Sequence, residues 1–107
     1  MTGADLERRL GGAGPPVVVV DVRSRVEFTS GHVPGAIHVP FWQMPFRFHR
    51  VPKGPRPVVV YCGHGPRAQW AAVWLRRAGH AQVEYLDGHM ARWHAERRPL
   101  ERGPAKR

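Results

Sequence analysis

Cysteine is almost missing from this chain: Cys62 stands alone. One thiol forms no internal disulfide, so nothing here calls for an oxidising compartment. Long apolar runs are missing too. Val17–Val20 and Val58–Tyr61 are far too short to cross a bilayer. The first residues carry Asp5, Glu7, Arg8 and Arg9 and no apolar segment of the secretory kind. A cytoplasmic protein without a membrane partner is expected. Acidic groups are scarce, 8 against 17 basic, giving a net charge of +9, and fifteen of the basic residues are arginine. This excess reads first as a solvated basic surface and second as a contact for acidic protein or RNA. The basic residues are scattered and not interleaved with stacking aromatics, so nucleic acid is the lesser expectation. Walker A loops, dinucleotide fingerprints and serine elbows are absent. Cys62-x-His64 supplies only two ligands at a recognisable spacing, and His89 and His94 do not form a metal pair. No metal and no cofactor are expected.

What is present centres on Val58-Val59-Val60-Tyr61-Cys62-Gly63-His64-Gly65-Pro66-Arg67. Unbroken apolarity predicts a strand covered on both faces. Gly63 and Gly65 let the backbone bend so that successive N–H groups point inward. Pro66 suits a first helical turn, and the Ala/Trp/Leu segment to Ala78 predicts a helix burying Ala68, Ala71, Ala72, Leu75 and Ala78, widened by Trp70 and Trp74. A thiol would then sit in a bowl of amide donors at the positive end of a helix, ionised and open to a small anion or a persulfide sulfur. Arg67, and His64 as an alternative to a solvent-facing residue, add positive charge at the rim.

The rest of the chain alternates. Asp5–Leu10 predicts a short helix. Val17–Val20 predicts a second buried strand running into Asp21-Val22-Arg23. Ser24 and Glu27 form a capping box for a helix to about Ser30. Pro34-Gly35 makes a turn before a short strand, Ala36–Val39. Phe41–Arg50 predicts one or two helical turns with aromatics mostly covered, because Pro45 prevents a long helix. Val83–Leu86 predicts the last strand and Asp87-Gly88 a turn into a short helix with Met90 and Trp93. Residues 1–96 make one domain; 97–107 read as a basic, frayed tail. Alternating strands and helices predict an α/β three-layer sandwich, a mostly parallel sheet of four to five strands with helices on both faces. Ligands bind at the carboxyl ends of such strands, which places Asp21 and Arg23 beside the Cys62 loop.

Four blocks in order resemble the single-domain rhodanese family of sulfurtransferases: Asp21-Val22-Arg23 with Glu27-Phe28; Gly31-His32-Val33-Pro34-Gly35-Ala36; Tyr61-Cys62 with Gly65 and Arg67; and Leu86-Asp87-Gly88 with Trp93. The resemblance implies that Cys62 takes a sulfane sulfur from a small anionic donor such as thiosulfate, carries it as a persulfide, and passes it to a thiol or other thiophilic acceptor. Gly63, His64, Gly65, Pro66 and Arg67 would cradle that sulfur. Asp21 would brace the loop through Arg67 or Arg23. Four residues separate Cys62 from Arg67 where related dual-specificity phosphatases have five, which favours sulfur over phosphate. Three departures stand out: no clear strand precedes the first helix, Ala68 replaces a frequent serine, and His89 occupies a place where glycine is common. The alternatives are a binding or regulatory module that keeps the fold without the chemistry, and sulfur relay to tRNA modification.

Overall fold

The computed structural model describes residues 1–105. Thr2 caps the first helix, α1 (Gly3–Leu10), by accepting the Asp5 N–H at 3.0 Å. Strand β1 (Val18–Asp21) follows, then α2 (Arg25–Ser30) and the two-residue β2 (Ile37–His38). The capping box forms as expected: Glu27 N–H donates to the Ser24 hydroxyl, and the Glu27 carboxylate accepts the Ser24 N–H. Phe41–Arg50 is a chain of single turns in which α3 (Met44–Arg47) lies between two 3-10 turns. Strand β3 (Val58–Tyr61), α4 (Pro66–Arg77), β4 (Val83–Tyr85) and α5 (His89–Ala95) complete the order.

The sheet runs β2-β1-β3-β4 and every pairing is parallel. It has four strands among the described residues, the lower of the two expected numbers, and none precedes α1. The valines of β1 and β3 are buried on both faces, as parallel strands between two helical layers must be. Side chains alternate across the sheet. Val18, Val20, Val58, Val60 and Cys62 pack with Met44 of α3 and Ala68, Ala71, Ala72 and Leu75 of α4. Val19, Val59 and Tyr61 pack on the other face with Leu6, Phe28, Met90 and Trp93. Cys62 therefore projects toward the α4 layer.

Three expectations need correction. Trp70 does not widen the buried face of α4; it is exposed and meets Phe41 edge-on at 5.9 Å. Trp42 and Phe46 also face outward, because single turns bury one side only and Met44 takes it. The segment after Arg97 is not frayed. Glu101 and His32 exchange backbone hydrogen bonds at 2.8 and 2.9 Å, Trp93 Nε1 donates to Pro99 O at 2.8 Å, and Gly103 N donates to Thr29 O at 2.9 Å. Backbone pairing holds a stretch that its composition would leave loose; residues 106–107 of that tail lie outside the described residues.

Candidate active site

Strands β1 and β3 run side by side with Asp21 opposite Tyr61, so the turns that follow them open at one edge of the sheet. The first turn is closed by side chains. Asp21 accepts the Arg23 N–H at 2.8 Å, the Arg23 guanidinium at 2.8 to 3.2 Å and the Tyr61 hydroxyl at 2.7 Å. Arg23 also donates to Gly31 O at 2.7 Å, and the Tyr61 oxygen accepts the Val33 N–H at 3.1 Å. Burial, then the Asp21 carboxylate, hold the Tyr61 hydroxyl well above its ordinary pKa, so it stays a donor. Burial alone would lower Arg23, but Asp21 outweighs it and the guanidinium is raised. Of the two anchors expected for Asp21, the structure selects Arg23. This brace meets the Cys62 loop through the neighbouring Tyr61.

The second turn is built from backbone. Met90 N–H donates to Cys62 O at 3.0 Å and Ala91 N–H to Gly63 O at 3.1 Å. In a trans peptide the N–H points opposite the C=O. Pinning these two carbonyls outward on α5 thus turns the amides of Gly63 and His64 the other way, into the loop. Gly65 adopts φ 133°, a conformation that favours glycine, and its N–H reaches the Cys62 Sγ at 2.9 Å. Pro66 opens α4, where its missing N–H leaves no gap.

Burial pushes the Cys62 thiol up; the His89 side chain and the amides of Ala68, Gly65 and His64 pull it down further, from 9.0 to about 7. A substantial thiolate population at neutral pH is the result. The expected openness is not found: Cys62 is 0% exposed. The sulfur lies on the floor of the loop because the residue continues the inward alternation of β3, beside Val60 and Ala68.

The rim residues divide. Arg67 is half-buried and makes a two-pronged pair with Glu27 of α2, at 2.6 and 3.1 Å. That hydrogen bond is the foremost cause holding Glu27 at about 2, well below its usual 4.5. Asp21 is not the anchor of Arg67. The His64 ring is exposed at the rim, and its contribution to the thiolate is its backbone N–H. His32 is a packing residue, stacked on Phe28 at 3.7 Å with its Nδ1 2.7 Å from Phe28 O. Two partners escaped the sequence reading. Glu27 is read from the sequence as a cap and as part of a family block, with no tie to Arg67, and His89, whose Nδ1 accepts the Cys62 N–H at 3.2 Å, as a departure from glycine with no tie to Cys62. The sole signal for His89 was a side chain where glycine is common. No three-residue group able to hold a metal exists among the described residues, and none of them lies in a helix long and apolar enough to cross a membrane.

The comparisons with known proteins agree with this fold. The pattern of the rhodanese-like domain matches residues 2–96. A sulfurtransferase of Allochromatium vinosum is 35% identical over 77 residues, 72% of this chain and 71% of that protein. A helix-turn-helix-type transcriptional regulator of Mycobacterium tuberculosis is 34% identical over 105 residues, 96% of this chain but 45% of that protein. The solution structure of a rhodanese-like domain from Anabaena superposes with a TM-score of 0.83 at 29% identity, covering all of this chain and 81% of that one. The chain belongs to the rhodanese-like domain family.

Proposed function

We propose that the protein is a sulfurtransferase that carries a sulfane sulfur on Cys62. In the first half-reaction the Cys62 thiolate attacks the outer sulfur of a small donor such as thiosulfate. The donor's S–S bond breaks, sulfite leaves with the electron pair, and a Cys62 persulfide remains. In the second, a thiolate or other thiophilic acceptor attacks the terminal sulfur, the bond to Sγ breaks, and the Cys62 thiolate is released. The observation that carries this reading is the Gly65 N–H at 2.9 Å from Sγ in a loop whose carbonyls are fixed outward. Amide donors stabilise the thiolate as nucleophile in the first step and as leaving group in the second. Gly63, His64 and Gly65 supply backbone, Pro66 starts the helix, and Arg67 draws an anionic donor toward the rim. Because Sγ lies on the loop floor, a small donor is favoured. The engagement of Arg67 by Glu27 supports sulfur over phosphate transfer, since it leaves less of the guanidinium to clamp a tetrahedral anion.

Steady-state kinetics with thiosulfate and a thiol acceptor test the reading. Parallel double-reciprocal lines are expected, with turnover lost in Cys62→Ser; intersecting lines, or turnover by the serine variant, contradict it. A second reading, a sulfur-sensing module in a regulator, is favoured by the match of nearly the whole chain to the mycobacterial regulator. A sensor would load with sulfur and release it slowly to small thiols, whereas an enzyme turns over repeatedly.

A further inference from the structure

His89 has a left-handed backbone, φ 53°, directly after Gly88 at φ 73°. These consecutive residues turn the chain from β4 into α5. Position 88 requires glycine, since a Cβ there would stand 2.4 Å from the Arg92 Cβ. Position 89 bears a whole imidazole at a backbone conformation that glycine would adopt without strain. Side chains tolerated in such a conformation beside a nucleophile invite a functional explanation.

The ring supplies one. Nδ1 accepts the Cys62 N–H at 3.2 Å, and Nε2 lies 3.4 Å from where a Cβ on Gly65 would stand. The imidazole therefore spans the loop from its first residue to its fourth. With Nδ1 accepting, the neutral ring carries its proton on Nε2, the edge turned toward Gly65. The same stretch of chain fixes the loop a second way, through Met90 and Ala91 on the carbonyls of Cys62 and Gly63.

We propose that His89 is a positioning residue for Cys62: its imidazole locks the Cys62 peptide and lines the loop that cradles the sulfur. The purpose assigned to that sulfur rests on the sulfurtransferase reading. When an acceptor expels Cys62 from its persulfide, the electron pair stays on Sγ, and a group that favours the thiolate lowers the cost of that step. Among the influences on the thiol, the His89 side chain is the foremost of those acting against burial. Among the described residues, Tyr85 stands beside the ring with centroids 6.0 Å apart, and Asp87 and Arg92 flank His89 along its own turn and helix; Arg67 with its partner Glu27 holds the rim of the same loop.

Ultraviolet absorbance of the thiolate, titrated against pH with Cys62→Ser as baseline, tests this without requiring access to the buried sulfur. The wild type should ionise near pH 7. His89→Gly relieves the backbone and should move the midpoint up by about one unit, which cuts the thiolate at pH 7 about fivefold. His89→Asn tolerates the left-handed backbone and offers an amide oxygen to the Cys62 N–H, so a smaller rise is expected. An unshifted midpoint in folded His89→Gly overturns the role; if that variant does not fold, an unshifted His89→Asn does so. Loading with thiosulfate, read by intact mass, is scored separately. A wild type that takes up no sulfur fails the sulfurtransferase reading whatever the midpoints, and an unshifted variant fails the His89 role even if loading is normal.

Discussion

Two neighbouring strands, β1 and β3, share register, burial and a run of valines, yet they leave the sheet through turns of opposite construction. After β1, the Asp21 carboxylate accepts from Arg23 and from the Tyr61 hydroxyl, and Arg23 donates again to Gly31 O. After β3, glycine removes side chains and leaves backbone amides facing one sulfur. A turn saturated by its own side chains has nothing left to offer a ligand and serves as a brace. A turn of glycines, held from outside by α5, has donors to spare and serves chemistry.

Breaking the brace should cost the most stability. Asp21→Ala strands the buried Arg23 guanidinium and the Tyr61 hydroxyl, and losing one partner of a buried pair typically costs about 3–5 kcal/mol. Urea unfolding should show this loss; a change within the scatter of ordinary surface substitutions would mean that the network is not a brace.

The second effect belongs to the sulfur. A thiol lowered from 9.0 to about 7 on folding binds fewer protons than the unfolded chain between those values. Stability should therefore rise with pH across that window, by roughly 2–3 kcal/mol, be complete above pH 9, and be lost as pH falls through 7. Cys62→Ser should lack this rise, and identical pH profiles would show that the loop does not favour the thiolate.

Gly65→Ala tests the glycine turn itself. At φ 133° a Cβ is strained, and its nearest neighbour is His89 Nε2 at 3.4 Å. The expected loss is about 1–2 kcal/mol of stability, with persulfide formation slowed more than the unfolding change accounts for. Equal loading rates in mutant and wild type would sever the link between this amide and the chemistry.

The smallest effect is expected at the rim. The Glu27 and Arg67 side chains are 39% and 30% exposed, so solvent screens their attraction despite the two-pronged geometry. Glu27→Gln should cost under about 1 kcal/mol at neutral pH. Because Glu27 is depressed from 4.5 to about 2, its contribution is present above pH 4.5 and lost as pH falls toward 2, where variant and wild type should converge.

The contrast between the turns also explains which features the residues announce and which they hide. The valine runs announce buried strands because parallel strands between helical layers have no polar face. Ser24 and Glu27 announce a cap because both ends of that interaction lie within one turn. Gly63, Gly65 and Pro66 announce the loop by what they permit. The partners of Arg67 and Cys62 were hidden, since Glu27 and His89 lie 40 and 27 positions away and only the crossover helices bring them in. Glu27 was concealed further by a local role, since its carboxylate accepts from both Ser24 and Arg67. The depth of Cys62 was hidden for a different reason. Composition shows that donors surround the thiol but not how far below the rim it sits.

The sulfurtransferase reading requires that Cys62 accept sulfur, and intact mass measures that directly. Wild-type protein incubated with thiosulfate and freed of excess should gain one sulfur atom, removable by reductant, while Cys62→Ser gains none. An unchanged wild-type mass, or an equal gain in the serine variant, would contradict it.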